Sequence, residues 1–342
     1  MKFGPVPVGE AEGAIVAHAI RHSGLVLKKG DLIRPEHVVA LQQAGLNNIV
    51  VARLEEGDIS EDDAAAVLAA RMRGPGLRVD AAFTGRANLF AEAAGLLQID
   101  ASVIDAVNAR DESITVATLP HMRAVVAGEM VGTVKIIPFA VPRRTLDATL
   151  ALCADPPLSV TPFRPLRVAV VSTLLPGLKP SVVDKTVRVL RTRLAPARAS
   201  IVVEEQTPHE EGALAAVLAR LAGAADLTIV FGASAITDRR DVIPAALERT
   251  GGAIVHFGMP VDPGNLLLLG ADATGAPVLG APGCARSPKE NGFDWVLQRL
   301  LAGVPVTPAD VTRMGVGGLL MEIVSRPQPR EGGASEAEAD GD

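Results

Sequence analysis

From residue 167 onward, short unbroken apolar runs alternate with longer stretches in which apolar residues return every third or fourth position. The short runs predict buried strands at 167–174, 200–205, 227–231 and 254–257, with briefer ones at 266–269 and 278–280. The longer stretches predict helices at 181–194, 210–222, 242–250 and 292–301. Strand and helix in turn imply an α/β fold, a mainly parallel sheet flanked by helices. Sheets of this kind bind ligands outside the carboxyl ends of their strands.

The earlier part of the chain reads differently. Residues 1–53 predict a small N-terminal α+β unit. It has helical spacing over 10–21, a strand and turn at 24–31, a helix at 35–44 ended by Gly45, and a strand at 48–52. Residues 54–160 predict a middle α+β domain. Its opening EEGDISEDD runs into AAAVLAARM, and Ser60 with Asp63 three residues on signals a helix start, a metal-binding acid cluster being the alternative. Helices are expected at 87–97 and 101–109, and strands at 114–119, 124–127 and 130–139. The polar turn 84–88 would cap the first of these helices or receive an anion. His121, in a loop after Pro120, reads as a surface residue. The prolines at 156, 157, 162 and 165 mark a boundary, giving a third domain over 161–329. Within it, 311–325 predicts a turn and a returning strand. Residues 330–342, acidic and poor in apolar side chains, predict a disordered tail.

Composition narrows the function classes. The chain has 342 residues, is 48% hydrophobic and carries a net charge of −6, a balance unsuited to general nucleic-acid binding. Aromatic residues make up only 3%, with no Tyr and one Trp, so stacking platforms are scarce. No apolar run is long enough to span a bilayer, and the N-terminus MKFGPVPVGEAEG lacks a signal-peptide pattern. Cys153 and Cys284 give neither a disulfide framework nor metal-ligand spacing. A cytoplasmic protein is expected. An anionic ligand would be held by local Lys, Arg and backbone groups rather than by a global field.

Four loops follow strands of the third domain. The first contains Ser172, Thr173 and Lys179 and suits phosphate, although the GxxxxGK[ST] spacing is absent. The second runs through Gly232, Ala233, Ser234, Thr237, Asp238, Arg240 and Asp241. The third holds Pro263, Gly264 and Asn265, and the fourth Pro282, Gly283, Cys284, Ser287 and Lys289. Each alone is a common kind of loop. In series at one sheet edge they define a candidate site.

The second loop, GASAITDRRDVIPAAL, resembles the signature of the MoaB/Mog molybdopterin-binding domain, approximately GGTGIT-RDVTPEAL, with one extra residue near Asp238 and Arg239. MPVDPGNLLLLG and LGAPGCARSP stand where MoeA-type relatives carry PGKP-like and GLPGNP-like loops. GLVLKKGDLIRPEHVVALQQAGLNNIVVARL resembles the segment preceding that domain in MoeA. Taken whole, the chain looks like the molybdopterin-binding half of proteins that fuse this domain to a MobA-like cytidylyltransferase.

The resemblance implies a ligand, molybdopterin or another form of the molybdenum cofactor, whose terminal phosphate suits Ser234, Thr237 and nearby N–H groups. Asp241 would take a pterin N–H or position Mg²⁺, or else cap the following helix. Asp238 is the second candidate acid. Arg240 and Lys289 are phosphate contacts or plain surface charge. Cys284 lies near the dithiolene or is simply a small buried residue. The chain departs from the family in having Ala233 for the second glycine, altered third and fourth loops, and no acids in the first. It also lacks an LAGGxSxRMG-like nucleotidyltransferase loop. These departures favour a protein that binds or presents molybdopterin to a partner, such as a cytidylyltransferase or a molybdoenzyme maturation factor. One alternative is an enzyme using Asp241 and Asp238 with nucleotide and Mg²⁺, or inserting molybdate. A Mog-fold regulator or nucleotide hydrolase is another. Relatives imply a homo-oligomer, a dimer more than a trimer, with neither nucleic-acid nor membrane partners.

Overall fold

The computed structural model describes residues 1–22 and 24–320. The acidic tail and the end of the 311–325 segment lie outside the described residues. The chain is mixed α/β and divides into two compact units, Met1–Pro162 and a second beginning at Phe163. Among the described residues no helix is long and apolar enough to cross a membrane.

Among the described residues the first unit is built from small antiparallel sheets and four α-helices. Strands Lys2–Pro7, Asn48–Arg53 and Ile15–Val16 form one sheet, with a core of its own around Val8, Ile33, Leu41 and Val51. A second core gathers Leu68 and Met72 from helix Glu61–Met72 against Leu89, Val131, Val134 and Leu158. That helix starts as its sequence signals: the Ser60 hydroxyl accepts from Asp63 N at 3.2 Å and donates to the Asp63 carboxylate.

Two expectations fail in this unit. Residues 10–21 form no α-helix but a 3-10 turn, Val8–Glu10, and strands Ile15–Val16 and Ile20–His22. Gly13, at φ +74°, turns the chain where a helix would have to continue, and β-branched residues follow. Residues 87–97 are likewise two strands, Arg86–Ala91 and Gly95–Ile99. Ala87, Leu89 and Ala91 are buried while their neighbours are not, a period of two that overrides the helix propensity of the alanines. The 84–88 turn therefore caps no helix. Thr84 and Gly85, at φ +48° and +71°, make a two-residue hairpin turn between Phe83 and Arg86, and Gly85 N donates to the Asp62 carboxylate at 2.6 Å. At 311–325 the expected turn is present as Arg313–Gly315, preceded by the helix Pro308–Thr312, and Leu319 bridges to Asp262, while the rest of the expected strand lies outside the described residues. Thr307 and Asp310 form a reciprocal capping box that starts this helix.

The second unit carries the candidate loops. Its elements are β1 (Arg167–Leu174), α1 (Pro180–Leu194), β2 (Ser200–Pro208), α2 (Glu211–Leu221), β3 (Leu227–Phe231), α3 (Val242–Arg249), β4 (Ala253–Phe257), β5 (Leu268–Ala271), β6 (Pro277–Ala281) and α4 (Gly292–Ala302). One six-stranded sheet has the order β2-β1-β3-β6-β5-β4. The first four of these strands are parallel, and β5 runs antiparallel to both β6 and β4. It follows that β4 points the same way as β6.

Strand alternation divides the core into two. Val168 and Val170 of β1 face the side where Ile229, Leu279, α1 and α4 pack. Ala169 and Val171 face the other side, with Val230, Val278, α2 and α3. Helices thus cover both faces of the sheet. The sheet's first face is filled by two nested rings, Phe231 and Phe293, with centroids 6.4 Å apart.

Candidate functional site

The sheet's connections locate a crevice. After β1 the chain crosses into α1 on one face, and after β3 it crosses into α3 on the opposite face. Their onward connections also run away from each other along the sheet, from β1 to β2 on one side and from β3 to β4 on the other, and such strands open a gap between their carboxyl ends, where ligands bind in sheets of this type. Here the gap lies between β1 and β3. The loops after β1, β3, β4 and β6 all leave the sheet at this same edge, because those four strands run in one direction.

Thr173 organises the crevice. It is buried, and its hydroxyl accepts from Ala233 N at 2.8 Å while pairing with His209 Nδ1 at 2.8 Å. His209 follows β2 directly, and its N–H donates to Leu174 O. The ends of β1, β2 and β3 are thereby tied together. Ser172, next in the strand and also buried, lies on the opposite face. Lys179 is exposed at the entry to α1 and makes no hydrogen bond or ion pair with the other candidates.

The turn after β3 is held at both ends. Gly232 is required there, since a Cβ would lie 2.7 Å from Ser234 O and 2.9 Å from Ile243 Cδ1. Ile236 anchors the turn in the core beside Gly280, where a Cβ would lie 2.7 Å from its Cδ1. Asp241 caps α3, accepting from Val242 N at 2.7 Å and from Thr237 N at 3.2 Å. Arg240 and Asp238 pair with each other at 2.8 Å on the surface, the arginine side chain 91% exposed. That bond holds the Asp238 carboxyl below its usual range, and exposed pairs of this kind contribute little to stability. Between these fixed points, Ser234, Ala235 and Ile236 donate their backbone N–H groups to no acceptor among the described residues.

The third and fourth loops meet each other at the start of α4. Gly264, at φ +143°, lies so close to α4 that a Cβ would be 2.7 Å from Gly292 N. Gly292 N donates to Pro263 O at 2.8 Å, and Asn265 closes its own loop by donating to Met259 O. Pro282 and Gly283 open a 3-10 turn, Gly283–Arg286, that buries Cys284. Asn291 caps α4 and donates to Cys284 O and Lys289 O. Pro263, Cys284, Ser287 and Lys289 line one cleft of about 140 Å³ with Asn291, Glu290 and Leu320.

Two arginines that the sequence reading passed over shape this region. Arg193 of α1, its side chain 9% exposed, donates to both oxygens of Asp294 and to the carbonyls of Ala285, Ser287 and Lys289. It holds the fourth loop against α1 and α4. Arg286 reaches back from that loop to the second, donating to Gly232 O at 2.9 Å above the Phe231 ring. His209 was missed because the apolar run was ended at residue 205, whereas the edge strand continues to Pro208. Among the described residues no cluster of His, Cys, Asp and Glu could hold a metal ion.

Residues 5–53 match a family model described as a domain of unknown function, DUF8806. No curated protein matches the chain. Among solved structures it is similar to a molybdopterin biosynthesis MoeA protein from Pyrococcus horikosii, at 14% identity and a TM-score of 0.32, over 88% of this chain and 75% of that one. It is also similar to a molybdenum cofactor biosynthesis protein from Pyrococcus furiosus, at 12% identity and a TM-score of 0.25, over 89% of this chain and 66% of that one.

Proposed function

We propose that this chain binds molybdopterin and presents it to a partner in molybdenum cofactor biosynthesis. The observation that carries the reading is the position of the signature-like turn GASAITDRRDVIPAAL. It leaves β3 at the sheet's switch point with three backbone N–H groups unspent among the described residues. Those groups, with the hydroxyls of Ser234 and Thr237, would hold the ligand's phosphate. Pro263, Cys284, Ser287 and Lys289, which share one cleft, are the candidates for contacts elsewhere on the ligand.

Binding is favoured over catalysis by how the two acids are used. Asp241 accepts one backbone N–H on each carboxylate oxygen in capping α3, and Asp238 is engaged by Arg240. A nucleotide-dependent step would need one of them for Mg²⁺. The recipient in this proposal is a cytidylyltransferase or another maturation factor, and the working form is a homodimer.

The test is titration of molybdopterin, under anaerobic conditions, into the full chain and into Asp241→Asn. Asn also caps helices, so the variant keeps α3 and loses only the charge. Saturable binding by both proteins, with no turnover of Mg²⁺-ATP or Mg²⁺-CTP, is the expected result. Turnover abolished in Asp241→Asn would replace presentation with catalysis, and no binding at all would end the proposal.

A further inference from the structure

Arg286 is a half-buried cation with no carboxylate partner among the described residues. The other buried arginine of this loop cluster, Arg193, is neutralised by Asp294. Burial alone holds the Arg286 guanidinium below its ordinary range, with no neighbouring charge to offset it. Desolvating a charge without a partner is unfavourable, and such a group is retained where something else supplies the counter-charge.

Its geometry shows where that counter-charge belongs. The guanidinium carbon lies 5.6 Å from the centroid of the Phe231 ring, and one nitrogen donates to Gly232 O. A guanidinium has five N–H donors in a rigid fork, so most of them remain unspent. Among the described residues no side-chain nitrogen or oxygen is both sealed from solvent and without a hydrogen bond. The remaining nitrogens of Arg286 therefore reach solvent. Its bond to Gly232 O sets the side chain at the start of the turn whose Ser234, Ala235 and Ile236 N–H groups are unspent among the described residues.

We propose that Arg286 is the recognition residue for a phosphate monoester dianion seated on the Gly232–Ile236 turn. The fork and the backbone donors together match a tetrahedral oxyanion with three terminal oxygens. The proposal rests on the molybdopterin reading for the rest of the ligand, but the anion subsite is defined by this chain's own atoms. Arg240, the arginine within the signature-like turn, is spent on Asp238 and exposed, and it does not serve this subsite.

The experiment is calorimetric titration of the full chain with inorganic phosphate and with ethyl phosphate, at constant ionic strength against chloride. Wild type, Arg286→Gln and Arg286→Lys are compared, and thermal stability in chloride is recorded for each. Arg286→Gln is expected to weaken phosphate on the order of tenfold or more, as befits loss of a charged hydrogen-bond donor. Arg286→Lys, a point charge without the fork, should fall between the two. Ethyl phosphate should bind no more weakly than inorganic phosphate, and its exclusion overturns the monoester assignment. Equal phosphate affinity in wild type and Arg286→Gln overturns the proposal and leaves Arg286 as a tether for Gly232. If Arg286→Gln does not fold, Arg286→Lys decides, because affinity unchanged from wild type contradicts a role for the fork. Phosphate bound through Arg286 with no molybdopterin binding sinks only the ligand reading. Molybdopterin bound with phosphate indifferent to residue 286 sinks only this inference.

Discussion

Replacing Arg193 with Met removes the guanidinium while keeping most of the apolar stem. Three consequences follow from its contacts. The Asp294 carboxylate, 10% exposed, loses its only cation among the described residues. The carbonyls of Ala285 and Ser287 lose their side-chain donor, and that of Lys289 keeps only Asn291. The turn carrying Arg286 is no longer held to α1. Removing one partner of a buried ion pair costs about 3–5 kcal/mol, chiefly because the other charge stays buried. At about 2–4 °C per kcal/mol for a unit of this size, the melting temperature should fall by about 6–20 °C. The assay is thermal and urea denaturation followed by circular dichroism, with phosphate titration of the folded variant alongside. Phosphate affinity should drop although residue 193 lies outside the proposed anion subsite. The double variant Arg193→Met/Asp294→Asn should recover part of the loss, since Asn removes the stranded charge and still accepts from Asn291 N. A cost below about 1 kcal/mol for Arg193→Met, or strict additivity in the double variant, would refute the claim that this pair organises the fourth loop.

Other outcomes follow from single contacts. Thr173→Val keeps the volume but strips Ala233 N and His209 of their shared partner. It should cost about 1–3 kcal/mol in denaturant melts and weaken phosphate binding as the second loop loosens. Gly264→Ala forces a Cβ to within 2.7 Å of Gly292 N at a φ that side chains rarely adopt, so a loss of at least about 2 kcal/mol is expected by the same melts. Asp272, in the β5–β6 hairpin turn, is pushed up by burial. The Thr274 hydroxyl and the N–H groups of Thr274, Ala276 and Gly223 outweigh that, and its carboxyl is held below the usual range. A depressed folded-state value means this stabilisation is complete above the unfolded value near pH 4 and is lost as pH falls through the folded one. Melting temperatures of wild type and Asp272→Asn should therefore differ near pH 7, and the difference should shrink as pH falls below about 4.

The second unit was the more legible in sequence. Runs such as Leu227–Phe231 are buried on both faces, and only a central strand of a helix-covered sheet needs that composition. Edge strand β2 has one half-solvated face, so its alternation faded into polar residues and its last three positions went unread. In the first unit, short antiparallel strands are rich in Ala and Gly, and tertiary pairing decided against local propensity at 87–97. The candidate loops could be ordered along one sheet edge because strand direction follows from alternation. Which arginine does what could not. Arg193, Arg240 and Arg286 look alike in sequence, yet one is neutralised by a residue 101 positions away, one is paired two residues back, and one donates to a carbonyl 54 positions away. Asp241 fits both a signature acid and a helix cap, and its two backbone bonds show the second use.

The central claim concerns the ligand, and mass spectrometry of whatever copurifies with the full chain addresses it most directly. Protein isolated anaerobically from a host that makes molybdopterin should carry that compound or its oxidised pterin derivative, and Arg286→Gln should carry markedly less. A different ligand recovered at stoichiometric yield would contradict the account, as would protein that emerges empty and stays empty when molybdopterin is supplied.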